Sequence, residues 1–120
     1  MNLRINRVVD FGTHASERIE LAVTGNCNLH SFIIADTTYI EETSISNKLR
    51  HMHWFSTRDV IAGDEIFLYT KSGTTSTEAI NGGRNTRYIL YWGLGSYVWN
   101  NNGDAAVLFN INTWQTTKVV

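Results

Sequence analysis

The stretch Val98 to Asn110 reads VWNNNGDAAVLFN, a polar cluster running straight into the apolar segment Ala105 to Phe109. Asparagine and glycine both tolerate a left-handed backbone, so Asn102-Gly103 reads as the point where the chain reverses. Asp104 is then placed to accept nearby amide hydrogens, and Ala105 to Phe109 form the strand that follows. The cluster also offers oxygens to a cation, but a single carboxylate from Asn100 to Asp104 falls far short of a calcium loop's ligand set. The stretch is a turn feeding a short strand, which points to an all-β fold.

The rest of the chain obeys the same pattern. Leu3 and Ile5, then Ile19, Leu21 and Val23, then Ile66 and Leu68 alternate with polar neighbours, the period of a strand with one buried face. SFIIAD (Ser31 to Asp36) and TRYILYW (Thr86 to Trp92) are nearly continuous apolar runs, as expected of strands covered on both faces. AAVLF and TWQTTKVV, joined by Asn110-Ile111-Asn112, read as a closing hairpin. Turns fall at Asp10 to Gly12, Gly25-Asn26, Ala62 to Asp64, Gly82-Gly83 and Asn102-Gly103, with positive φ expected at Gly63 and Gly103. Thr70 to Asn85, rich in Ser, Thr and Gly, reads as an exposed loop, and EETSISNKLRHM has room for one helical turn after Thr43. The expected architecture is an immunoglobulin-like β-sandwich of about seven to nine antiparallel strands, one domain spanning the chain.

Composition narrows the function classes. Ten Lys+Arg against eleven Asp+Glu leave a net charge of -1, without the positive field of a strong nucleic-acid binder. The one cysteine, Cys27, has no internal disulfide partner, and the start MNLRINRVVD has no secretory apolar region. A soluble protein without a membrane partner, cytoplasmic by default, is expected. There is no proline, the residue that commonly blunts edge strands, so an edge is open to pairing with another chain.

In order and spacing these elements resemble the lamin tail domain, an immunoglobulin-like module. Glu17-Arg18-Ile19-Glu20-Leu21 fills that family's early E-x-I-E-L strand, and LHSFIIAD (Leu29 to Asp36) its following strand ending in Asp. STRDVIAGDEIFLYT (Ser56 to Thr70) resembles its Ala-Gly turn and strand, and Trp92, Asn100, Gly103, Asp104 and Leu108 its closing segment. Ser31-Phe32 stands where the family has Gly-Trp, and Phe55 to Arg58 lacks its prolines, which marks a divergent member. The resemblance implies a non-catalytic module that binds or anchors protein or DNA.

No residue pattern argues for an enzyme. There is no Gly-x-Ser-x-Gly elbow and no Cys/His signature, and GGRNTR lacks the lysine and helix of a phosphate loop. Glu41-Glu42 and Asp64-Glu65 are adjacent pairs whose members point to opposite faces of a strand, and they read as solvated turn charges. His51 and His53 share a face at strand spacing and are the weak metal candidates, two ligands short of a site. No cofactor is expected.

Binding candidates come from interleaved arginines and aromatics: Arg50, Arg58, Arg84 and Arg87, with Tyr97 and Trp99 as the aromatics expected at the surface. The leading expectation is a protein partner, a second copy included, engaged through an edge strand. Nucleic-acid binding through the arginine and aromatic face is the alternative, and carbohydrate binding through Tyr97, Trp99 or Trp114 the third.

Overall fold

The computed structural model describes residues 1–41, 44–46, 48–100 and 103–120. Among the described residues eleven strands follow one another: β1 (Leu3–Val9), β2 (Arg18–Val23), β3 (Cys27–Asn28), β4 (Phe32–Glu41), β5 (Ser44–Ile45), β6 (Met52–Trp54), β7 (Asp59–Val60), β8 (Glu65–Tyr69), β9 (Ser76–Ile80), β10 (Asn85–Tyr91) and β11 (Asp104–Asn110). They build a β-sandwich. The first sheet has the order β1-β2-β8-β10-β9; in the second, β4 lies between β11 on one side and β5 and β6 on the other. A small β3-β7 pair lies apart from both.

The alternating strands each send one side chain set between the sheets. Leu3, Ile19, Leu21, Val23, Ile66 and Leu68 from the first sheet meet Phe32, Ile34 and Phe55 from the second, with Leu29, Val60, Val98 and Trp99 completing the core. Burying each large aliphatic or aromatic side chain contributes about 1.5–3 kcal/mol, so this cluster supplies the driving force for the fold. In β1 the alternation is interrupted by a bulge between Ile5 and Arg7. The extra residue changes the phase, so that Leu3, Ile5 and Val8 all pack inward while Arg7 reaches Glu20 outside.

Four expectations are corrected. Thr70 to Asn85 contains a strand: β9 pairs antiparallel with β10 and forms an edge of the first sheet. Its residues are almost all exposed, so no apolar alternation announces it. TWQTTKVV forms no strand, because no neighbouring strand pairs with it and strand propensity alone does not hold a chain extended. Asp64, read as solvated, is 3 % exposed and accepts from Ile61 N, Thr86 N and Asn85 Nδ2. The expectation that the strands are all antiparallel fails at one pair: β8 and β10 are parallel, the chain crossing over through β9 before returning.

Positive φ occurs at Gly63 and Gly103, as the turn chemistry predicts. The reversal at Asn102, the pair Glu41-Glu42 and the turn after Thr43 involve positions outside the described residues, in whole or in part. Beyond Gly103, Asp104 accepts the Asn100 N–H at 3.0 Å and β11 begins, as expected. Among the described residues no helix is long and apolar enough to cross a membrane.

Candidate functional site

The four candidate arginines are scattered and mostly engaged. Arg50 bridges Asp36 (3.1 Å) and Asp104 (2.8 Å) and donates to Thr37 O, tying the start of β11 to β4. Arg87 lies on the outer face of the first sheet over Phe67, between Glu65 and Glu78, and these carboxylates raise its pKa. Arg58 lies over the Tyr88 ring at 4.9 Å, and Arg84 donates to Asn81 O in the β9-β10 turn. Tyr97 is exposed as expected, but Trp99 is 2 % exposed and packs in the core. The reason is Glu17, which lies 82 residues away in the chain: its carboxylate accepts the backbone N–H groups of Val98 and Trp99 and draws that segment inward. The expected arginine and aromatic face therefore does not assemble.

The two histidines go separate ways. His51 Nδ1 lies 3.0 Å from Asp36 Oδ1, and its backbone N–H donates to the same oxygen. His53 is half-buried, its ring edge-on to Phe55 and near Trp92, and burial lowers its pKa below 6.5. Among the described residues no three His, Cys, Asp or Glu side chains gather in a way that could hold a metal ion.

What the fold does assemble is the outer face of the second sheet. Phe32 and Ile34 of β4 face the core, so Ile33 and Ala35 face outward. Their cross-strand partners point the same way: Phe109 and Trp54 flank Ile33, and Val107 and Met52 flank Ala35. The result is two rows, Phe109-Ile33-Trp54 and Val107-Ala35-Met52, apolar across three strands. Trp54 and Met52 are 39 % and 51 % exposed.

An aromatic corner ends the first row. The His30 ring stacks on Trp54 at 4.5 Å with an 8° tilt, and Trp114, 50 % exposed, stands edge-on to both. The Trp54 indole N–H donates to His30 O at 2.7 Å, which fixes the ring in this stack. The outer face of the first sheet is of the opposite character. There Arg7, Arg18, Glu20, Glu65, Glu78 and Arg87 interlock, with Arg18 against both Phe67 and Tyr69.

Sequence reading missed Met52, Trp54, His30, Ile33, Val107 and Phe109, although the signal was present. SFIIAD and AAVLF are continuous apolar runs, the mark of a strand covered on both faces. The protein covers the inner face fully and the outer face in part: Ala35 is buried, Ile33, Val107 and Phe109 are half-buried, and the exposed members of the face are Met52 and Trp54.

Compared with known proteins, the chain matches no family model, no curated protein and no solved structure.

Proposed function

We propose that this chain is a non-catalytic protein-interaction module that docks a partner on the outer face of β11, β4 and β6. One observation carries the reading: the outer side of a three-strand sheet is apolar, half-buried at Ile33, Val107 and Phe109 and exposed at Met52 and Trp54, where antiparallel sheets normally present polar residues. Exposed apolar surface of this kind, free of charge at its centre, is what protein interfaces are made of. Covering the exposed parts of Trp54, Trp114 and Met52 alone removes about 300 Å² of side-chain surface from water. That is worth about 7 kcal/mol before association costs of about 4–15 kcal/mol are met. A rim around these residues has to contribute, and the affinity fits a transient interaction rather than an obligate one.

The lamin-tail resemblance supports the same role, since that family's domains bind and anchor. The buried carboxylates also support a structural use of the acids: Glu17, Asp36 and Asp64 each accept several hydrogen bonds from their own fold. A DNA-binding role is weaker, because the arginines it needs are dispersed. Carbohydrate binding has one favouring observation, the perpendicular Trp54 and Trp114 pair at 5.1 Å, an arrangement able to cradle a sugar ring.

The test compares wild type with the double variant Met52→Glu, Trp54→Glu. Partner capture is expected to be lost from the variant with its thermal melt unchanged in shape. A glycan titration that quenches tryptophan fluorescence would transfer the face to sugars instead.

A further inference from the structure

A second feature lies on a different part of the molecule and stands independently of the docking face. β1 ends the first sheet and β11 ends the second, and the gap between these two edges is not closed by any strand among the described residues. Cavities line it. One of about 490 Å³ is bounded by Leu3, Arg4, Ile5 and Leu108, and another of about 230 Å³ by Val8, Phe11, Trp99 and Ala106. Ile5, Val8, Ala106 and Leu108 give the slot apolar walls toward the core, while Arg4 and Thr24 line the larger cavity and Asn100 and Asp104 the smaller one.

Trp99, which helps to line the smaller of these cavities, carries an unmet donor that is itself buried. Trp99 Nε1 is the one buried side-chain polar atom among the described residues without a hydrogen-bond partner. A buried unsatisfied N–H is costly, and an acceptor that reached it would remove that cost. At the larger of the two cavities Arg4 bonds only the neutral Asn6 side chain among the described residues, leaving its charge available to an anion.

The two edges are not equivalent as templates. β1 is bulged between Ile5 and Arg7, whereas β11 runs in unbroken register with β4 from Asp104 to Asn110. A continuous edge offers evenly alternating N–H and C=O groups to an added strand, and a bulge disrupts them. At about 3.4 Å per residue, β11 matches a peptide of about seven residues.

We propose that the slot between β1 and β11 receives an extended peptide segment of a partner protein. The peptide adds to the free edge of β11, seats alternate apolar side chains between Ile5 and Leu108 and between Val8 and Ala106, and gives a carbonyl to Trp99 Nε1. An acidic residue at one end of the peptide meets Arg4. This is strand addition, with backbone pairing supplying affinity and the slot supplying selectivity.

The experiment titrates the ¹⁵N-labelled chain with two nonapeptides of alternating valine and threonine, one carrying glutamate at its N-terminus and the other at its C-terminus. One of the two is expected to shift the Trp99 indole N–H resonance and to protect amides of β11 from exchange. Trp99→Phe should weaken it at least fivefold, and Arg4→Glu at least tenfold, with a lysine-ended peptide then preferred. Ala106→Arg should plug the slot; if that variant does not fold, the Arg4 reversal decides. Trp54→Glu should leave peptide binding unchanged, so that failure of the slot and failure of the docking face are read separately. No shift at millimolar peptide, protection mapping to β9, or undiminished binding by Trp99→Phe overturns the proposal.

Discussion

The carboxylate of Glu17 accepts the backbone N–H of Val98 at 2.8 Å, joining the entry to β2 to the segment before β11 across 81 residues of chain. The same side chain accepts from Gly12 N and Trp99 N and pairs with the Thr70 hydroxyl, all with Glu17 fully buried. One acid thus clamps the β1-β2 turn, the end of β8 and the Trp99 segment together.

Glu17→Ala removes every one of these acceptors and leaves buried N–H groups unpaired. Breaking such a charged network is expected to cost about 3–5 kcal/mol, and Glu17→Gln, which keeps one oxygen, about half of that. Urea denaturation measures it, and the Trp99 fluorescence maximum of the alanine variant should move to the red. An unchanged midpoint would contradict the clamp.

Two glycines separate space from backbone conformation. A Cβ on Gly73 would run into the Tyr91 ring, which stacks on Tyr69, whereas one on Gly82 meets nothing within 4 Å. Gly82 has φ +69°, so Gly82→Ala costs only the left-handed strain of about 1 kcal/mol. Gly73→Ala is expected to cost about 1–3 kcal/mol through displacement of Tyr91. Tyr91 ring shifts in the NMR spectrum should follow the second substitution and not the first.

His53 sets a pH dependence. Its burial lowers the folded-state pKa below the ordinary 6.5, so the unfolded chain takes up this proton first. Stability from neutral His53 is complete above 6.5, declines as the pH falls below that value, and stops declining beneath the depressed folded pKa. Replacing His53 by Gln should remove this component: the wild-type minus variant difference in unfolding free energy shrinks on acidification from pH 7 to 5. A difference that grows on acidification would reverse the assignment.

Because Arg50, Arg58 and Arg87 are held by Asp36, Tyr88 and Glu65, and Arg84 donates to Asn81 O, no concerted phosphate contact is expected. Fluorescence anisotropy with a labelled 20-base-pair duplex at 0.15 M salt should show no saturable binding below about 100 μM, the range of weak non-specific association. Tight binding that falls steeply with salt would restore the nucleic-acid reading.

The sandwich was legible where burial writes an alternating pattern: Ile19, Leu21 and Val23, or Ile66 and Leu68, declare their strands without help. It was illegible at β9, whose Ser76, Thr77 and Glu78 bury nothing and so look like loop. Trp99 was misjudged because its burial depends on Glu17, a partner that local sequence does not contain. Trp114, offered by the sequence only as one possible sugar-binding ring, lies at the surface beside Trp54, which was not singled out as a site residue. On the outer face of β11, β4 and β6 the apolar pattern was visible, and only its meaning was missed. Continuous apolar strands signal two faces in need of cover, and pairing register was required to see that one of them is covered only in part, with Met52 and Trp54 exposed.

The most direct test replaces Met52 by a photo-crosslinking benzoylphenylalanine in the producing cells, with the same replacement of Glu78 on the outer edge of the first sheet as comparison. Ultraviolet irradiation is expected to yield a discrete covalent adduct with a protein partner from position 52 and none from position 78. Equal crosslinking from both positions, or none from position 52, would contradict the assignment of the outer β11, β4 and β6 face as the docking surface.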